Sequence, residues 1–598
     1  MRRLILLLVG LSLNVTCGKV RGDNAVIAKT PPNRLVTQWA AKVLAGEDHP
    51  EYPRPELVRS NWMSLNGKWN YTLSTLTGPV SGNRSGTILV PFPVESYLSG
   101  ANDKFNAENI LEYRRQFSVP ADWLGKRVLL HFDAVNWEAR VELNGKLLGI
   151  HQGGYDRFSF DITDALDGKD EQNLTVVVKN PMDHGMQPRG KQTSSPHGIW
   201  YTSSSGIWQT VWLEPVPWTS VESVNSNPDV DHGLLNLVTT VRGDTNDIKV
   251  EAVALDGIKV IGRALGVPGQ AFSIPLENAR LWSPEHPVLY DLRVSLRQGS
   301  KTIDSVTSYF GMRKISVATG SKGLPRIMLN NEPYFQLGVL DQGYWPDGIY
   351  TAPTDEAIKS DIELTRRLGF NLCRKHVKVE SERWYYWCDR LGLLVWQDMP
   401  STDNMASVRP KDPAYPAAAA KEFNSELVRI IGQNRNHPSI VMWVAFNEGW
   451  GQHDTAGVVD SIKKLDPDRL VIGASGWNDR GCGDVRSLHS YPGPAMPEFK
   501  DNRAVVCGEC GGLGLTVSGH VWPSVPAWSY THLNSPQKLA AAYSQLLDRI
   551  QQARQGGLSG AVITQLSDVE GEINGLATYD REIVKVDAIG EKFGSWNK

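Results

Sequence analysis

The chain has 598 residues, too many for one ordinary core and suited to about three, since single domains cluster near ~100–150 residues. It is 41% hydrophobic and 21% charged with a formal net charge of −3 and no blocks of one sign, so it lacks the clustered Lys/Arg of a nucleic-acid binder. Twenty Trp and eighteen Tyr fit sugar-face stacking and large β-sandwich cores equally well.

Met1-Arg2-Arg3 followed by the apolar run Leu4 to Leu13 reads as the charged and hydrophobic regions of a secretory signal over 1–22. The run is too short for a membrane span, and no other stretch approaches the ~20 apolar residues a span needs. Export to the periplasm or outer surface of a bacterium is therefore expected. Cys17 falls where a lipoprotein carries its lipidated cysteine, although Asn14 and Thr16 make a poor lipobox.

From 50 to 216 short alternating runs, such as Val128 to Phe132 and Ala139 to Leu143 with an Asn144-Gly145 turn, predict a β-sandwich. A second all-β stretch, 217–318, has candidate strands at Leu237 to Val241, Ile248 to Val253 and Tyr290 to Val294, and suggests an immunoglobulin-like sandwich. From 319 to 598 the rhythm becomes strand and helix in alternation. Strand candidates begin at Tyr334, Phe370, Leu393, Ile440, Leu470, Val485, Ala504 and Ser559. Eight βα units predict a (β/α)8 barrel, whose active site sits at the C-terminal ends of the strands.

That rule selects two carboxylates. Glu448 ends the apolar run from Ile440 to Asn447, and Glu509 ends the run from Ala504 to Gly508, on the fourth and seventh strands. Placing a carboxylate beside so much apolar surface is costly unless it is paired or functional. Retaining cleavage of a glycosidic bond needs such a pair, one protonated and one ionised, about 5–5.5 Å apart, with environments that split their pKa values. Asn447 beside Glu448 suits the acid, because its amide can hold the sugar 2-hydroxyl; Glu509 is then the nucleophile. Cys507-Gly508-Glu509-Cys510 also matches C-x-x-C, and a redox or zinc protein built on Cys507 and Cys510 is an alternative. No second Cys/His pair with ligand spacing supports it.

Nearly the whole chain resembles glycoside hydrolase family 2, the β-galactosidase, β-glucuronidase and β-mannosidase group. Asn136-Trp137-Glu138 to Asn144-Gly145, Gly153-Gly154-Tyr155, Phe158 to Thr163 and Ser205-Gly206-Ile207-Trp208 are similar to its first domain, and Phe446-Asn447-Glu448 and Gly508-Glu509 to its acid/base and nucleophile motifs. The resemblance implies a jelly-roll, an immunoglobulin-like sandwich and a TIM barrel. It implies retaining, exo-acting enzymes with a pocket walled partly by the jelly-roll, acting on oligosaccharides or polysaccharides. It also implies that Arg374 and His376 face the sugar, that Asp398 sits at the third strand's mouth and that Tyr491 holds the nucleophile. Trp477 is a candidate stacking residue. The chemistry requires no cofactor; some members bind a divalent cation near the site, and no cluster in the sequence compels one.

The sugar is less defined. The glucuronidase branch reads its substrate carboxylate with an Asn-x-Lys motif after the last strand, and 566–585 has none. Lys375 or Arg374 remain as basic groups for an acidic sugar. A β-galactoside-like sugar is preferred, with α-L-arabinopyranoside, β-glucuronide and β-mannoside as alternatives, as is a catalytically inactive carbohydrate-binding protein.

Overall fold

The computed structural model describes residues 34–586 except 48, 76–83, 321, 403–407, 409 and 497. The expected signal and Cys17 lie outside these residues. No described helix is long and apolar enough to cross a membrane.

The first sandwich packs a four-stranded sheet (Met63–Ser64, Val211–Val216, Arg127–Phe132, Phe158–Asp161) on a six-stranded one (Arg84–Val90, Gly67–Thr75, Asn109–Phe117, Gln172–Lys179, Glu138–Leu143, Lys146–Gln152). Its strands alternate as the sequence does: Ala139, Val141 and Leu143 are buried while Glu138, Arg140 and Glu142 keep some exposure, as one-sided burial in an antiparallel sheet requires. Trp69, Tyr113, Leu130, Val176 and Leu213 fill the space between the sheets. The second sandwich pairs three strands (Ser220–Asp229, Leu234–Arg242, Phe272–Pro275) against four (Lys259–Gly266, Ile248–Asp256, Tyr290–Gln298, Lys301–Phe310) around Leu237, Val250, Leu292 and Val306.

The barrel strands are β1 (Gln336–Asp341), β2 (Leu372–Lys375), β3 (Leu394–Asp398), β4 (Ile440–Asn447), β5 (Leu470–Ser475), β6 (Val485–His489), β7 (Ala504–Gly511) and β8 (Gly560–Thr564), all parallel. Leu340, Leu372, Leu394, Trp396, Met442, Val444, Ile472, Val506 and Val562 form the interior core. The ladder runs unbroken from β5 through β4, β3, β2, β1, β8 and β7 to β6. Between β5 and β6 the Ser475 and Ser487 hydroxyls meet at 2.9 Å, in place of strand pairing.

Helices α1 (Asp355–Arg367), α2 (Glu382–Leu391), α3 (Ala417–Asn434) and α4 (Thr455–Leu465) follow β1 to β4, and α5 (Pro536–Gln555) follows β7. The eight βα units read from the sequence are corrected here: no described helix follows β5 or β6. The two connections carry Gly476, Gly481, Gly483, Pro492, Gly493 and Pro494, and Gly and Pro are the poorest helix residues.

The first sandwich is bolted to the barrel mouth. Glu426 of α3 accepts from the Gly154 and Tyr155 N–H groups at 2.8 and 3.0 Å, and Arg429 pairs with Asp156 at 2.5 Å. The Arg189 and Gly190 N–H groups donate to the Ser401 carbonyl just past β3, at 2.9 and 3.0 Å. Gly190 takes φ +64°, and a Cβ there would meet the Val377 carbonyl, so glycine is required for this approach.

Candidate active site

Strand periodicity decides which side chains reach the pocket. On β2, Leu372 and Arg374 share the interior face, so Lys375 points outward, where it bonds Asp341 at 2.5 Å and Glu380 at 3.0 Å. Lys375 is thereby removed as a reader of an acidic sugar. Leu394, Trp396 and Asp398 line up on β3, as do Val485, Ser487 and His489 on β6.

β7 breaks its own alternation. Val506 faces the interior, so Gly508 should follow it and Glu509 should face away. The pairing shifts instead by one residue: Leu488 opposes Cys507 and His489 opposes Glu509, with Gly508 unmatched. This is a β-bulge, a device that re-aims a side chain, and it turns Glu509 into the pocket. A Cβ at Gly508 would collide with the Ser487 and Ser475 hydroxyls, so any larger residue here must displace them.

Glu448 follows β4 with φ +52°, in the left-handed region. Holding a glutamate there costs of order 1–3 kcal/mol and is found where the surrounding structure imposes it. Its N–H donates to the Ser475 carbonyl at 2.8 Å, and its Oε1 lies 2.8 Å from His489 Nδ1.

Glu509 is ringed by donors. Tyr491 OH donates to Oε2 at 2.5 Å and Arg374 Nη1 to Oε1 at 3.2 Å. His489 Nδ1 lies 3.5 Å from Oε2, and His376 Nδ1 3.9 Å from Oε1. Burial alone would raise its pKa, but His489, His376, Arg374 and Lys191 together hold it well below the usual carboxylate range. Glu509 is thus ionised at neutral pH. Oxygen atoms of Glu448 and Glu509, with a nitrogen of His489, lie within 4.8 Å of one another.

Arg374 is fully buried and wholly committed. It forms a bidentate pair with Asp398 (3.0 and 2.9 Å) and also donates to Glu509, to the Gly508 carbonyl (3.1 Å) and to Asn447 Oδ1 (2.7 Å). Because Asn447 Oδ1 accepts from Arg374, the amide orientation is determined. Its Nδ2 is buried without a partner among the described residues, a donor left for a ligand.

Of the predicted residues, the structure brings Glu448, Glu509, Asn447, Arg374, His376 and Tyr491 together. Two readings are corrected. Asp398 is buried beneath Arg374 and His376, whose Nδ1 is 3.1 Å away, so it orients those groups and is not placed to touch a sugar. Arg374 spends its guanidinium on protein acceptors and is a positioning residue. Tyr491 also bonds Thr564 at 2.9 Å and stacks on Tyr530 at 3.6 Å between ring centroids. Trp477 stays 40% exposed at the rim, 6.1 Å from the His489 ring.

Sequence reasoning missed His489, Lys191, Tyr201 and Glu572. His489 ends β6 as Glu509 ends its run, and the strand-end rule applied to every polar residue would have found it. Tyr201 of the first sandwich bonds Glu572 beyond β8; nothing local in either segment announces that contact. Among the described residues Glu448, His489 and Glu509 form one of two groups with atoms close enough to share a cation, the other being His520, Asp580 and Glu582.

Three family descriptions match the chain in order. "Glycosyl hydrolase 2 galactose-binding domain-like" matches 97–208, "Glycosyl hydrolases family 2" 224–313, and "Glycosyl hydrolases family 2, TIM barrel domain" 347–491; together they span more than half of the chain. The chain belongs to glycoside hydrolase family 2. Among curated members of the family, a "Beta-galactosidase" of Thermoanaerobacter pseudethanolicus is 28% identical over 375 residues, 60% of this chain and 48% of that protein. A "Beta-glucuronidase" of Bacteroides fragilis is 26% identical over 434 residues, 69% of this chain and 60% of that protein. The chain thus spans about half the length of the curated relatives it matches. Of solved family structures, "b-glucuronidase from Ruminococcus gnavus in complex with D-glucuronic acid" is similar with a TM-score of 0.72 at 18% identity, covering 92% of this chain and all of that one. The β-D-glucuronidase of Dictyoglomus thermophilum gives 0.72 at 17% identity, covering 91% and 98%. At such identities the likeness bears on the fold.

Proposed function

We propose that the protein is a retaining exo-β-glycosidase that removes terminal sugars from glycans by double displacement, with Glu509 as nucleophile and Glu448 as general acid and base. The observation that carries this reading is the carboxylate pair, with oxygens inside 4.8 Å. That separation suits direct attack by one carboxylate, whereas an inverting pair stands ~6.5–9.5 Å apart to admit a water.

In the first step a Glu509 oxygen forms a bond to the anomeric carbon as the bond to the leaving-group oxygen breaks, and that oxygen takes the Glu448 proton. In the second, Glu448 takes a proton from water, the water oxygen bonds to the anomeric carbon and the Glu509 ester is released. Tyr491 and Arg374 keep Glu509 aimed between these steps, and the unpartnered Asn447 Nδ2 donates to a hydroxyl of the bound sugar. His489, anchored by Ser475 at 2.8 Å through Nε2, holds Glu448. Arg374 and Tyr491 already answer the Glu509 charge, and the reaction as proposed runs without a metal. Export, read from the sequence, completes the proposal.

The curated relatives carry galactosidase and glucuronidase names, and the β-galactoside-like preference remains a sequence expectation. A panel of nitrophenyl β-galactoside, β-glucuronide, β-mannoside and α-L-arabinopyranoside tests the reaction. Glu509→Gln and Glu448→Gln are each expected to cut turnover by at least about 1000-fold, with azide rescuing the Glu448 variant as a β-glycosyl azide. Unchanged turnover in either variant removes that residue from the mechanism, and a folded wild-type protein inactive on the whole panel favours a carbohydrate-binding role.

A further inference from the structure

Lys191 is a lysine near the catalytic residues that the mechanism leaves idle. It stands on the first sandwich, next to Gly190, whose N–H is fixed to the Ser401 carbonyl, and its own carbonyl accepts from the Tyr201 N–H at 3.0 Å. The side chain is thereby presented to the barrel mouth by backbone anchors on both sides. Its Nζ lies 5.7 Å from the Tyr201 ring and 5.8 Å from the Trp450 ring, and Trp450 is two residues beyond Glu448.

The residue is only 5% exposed. Among the described residues no carboxylate comes within ion-pair distance of Nζ and no hydrogen bond satisfies it. An ammonium held against two aromatic rings with no paired carboxylate is suited to an anionic ligand. The nearby carboxylates are already engaged: Glu509 by Arg374 and Tyr491, and Glu572 by the Tyr201 hydroxyl. A second donor on this wall, Trp450 Nε1, is buried and has no acceptor among the described residues. The Lys191 charge nevertheless reaches the reacting centre, since it is among the groups that hold Glu509 below the usual carboxylate range.

We propose that Lys191 reads a carboxylate on the terminal sugar, so that the substrate class is a β-linked uronic acid. This rests on the glycosidase reading and names its sugar. A hydroxyl would satisfy one N–H of the ammonium but not its charge. Charge balance through the reaction points the same way: esterification of Glu509 removes an anion that faces the Lys191 charge, and a sugar carboxylate replaces it. The cation comes from the first sandwich, in a chain that lacks an Asn-x-Lys motif after β8.

The test uses the full chain with nitrophenyl β-glucuronide and β-galacturonide beside the matching β-glucoside and β-galactoside. At least one uronide is expected to exceed its parent hexoside in kcat/KM by at least 10-fold. Lys191→Gln should reduce that uronide-to-hexoside ratio at least 30-fold, and Lys191→Arg should reduce it less. A hexoside preferred by the wild type, or a ratio that Lys191→Gln moves by less than 3-fold, overturns the proposal. So does a hexoside 6-sulfate cleaved faster than either uronide. Cleavage of a β-mannoside or an α-L-arabinopyranoside instead also overturns it, and if the wild type cleaves none of all these, the glycosidase reading fails on its own. Calorimetric titration with free glucuronate, galacturonate, glucose and galactose then decides: tighter binding of a uronate, weakened at least 10-fold in Lys191→Gln, sustains the Lys191 assignment, and any other result overturns it.

Discussion

Tyr491 gives Glu509 its shortest hydrogen bond, 2.5 Å to Oε2, and a hydrogen bond to the charged form of an acid stabilises that form. Bonds to charged groups contribute about 1.5–3 kcal/mol, or roughly one to two pH units. Tyr491→Phe is therefore expected to slow turnover about 10- to 100-fold and to move the acid limb of kcat/KM upward by one to two pH units. The sign follows from the direction of the shift: Glu509 is held below its ordinary value, so losing a donor raises it and protonation disables the nucleophile at higher pH. An unmoved acid limb in that variant would detach Tyr491 from Glu509. Glu448 and Glu509 were legible in the sequence because each breaks an apolar strand at a place where packing gives it no reason to stand. Lys191 was not: a lysine after Gly has many ordinary uses, and only distances to partners far along the chain distinguish it, whereas His489 stands at a strand end where the same rule reaches it.

The β7 bulge shows what strand periodicity can and cannot convey. The sequence places a glutamate at the end of the seventh strand; strict alternation counted from Val506 would turn it outward, and the single unmatched residue, Gly508, reverses that. Gly508→Ala forces a methyl group against Ser475 and Ser487, which meet between β5 and β6 and of which Ser475 braces His489. Displacing a reacting group by ~1 Å costs on the order of 100-fold. The expected outcome is a folded protein with turnover reduced by about that factor, read by aryl glycoside kinetics beside a thermal melt. Turnover within 3-fold of wild type would show that the bulge does not aim Glu509. All eight strands were legible because buried parallel strands read as continuous apolar runs; the reading of eight βα units went astray after β5 and β6 because it gave no weight to the glycines and prolines in those connections.

Across the whole molecule, domain order was readable because the hydrophobic period changes from two to alternating strand and helix near residue 319. How the domains meet was not readable, because contacts such as Gly190 with Ser401, Asp156 with Arg429 and Tyr201 with Glu572 join segments whose sequences carry no mark of each other. Those contacts make the pocket a joint product of sandwich and barrel: the barrel supplies the two carboxylates and the Arg374 network, and the sandwich supplies Lys191 and Tyr201. The central claim is that Glu509 forms a covalent bond to the sugar. Incubation with the 2-deoxy-2-fluoro glycosyl fluoride of whichever sugar is cleaved, followed by mass spectrometry of the digested protein, tests it most directly. The account predicts stoichiometric inactivation with the fluoro-sugar on the peptide carrying Glu509. A label on any other residue, or turnover with inverted anomeric configuration and no adduct, would contradict it.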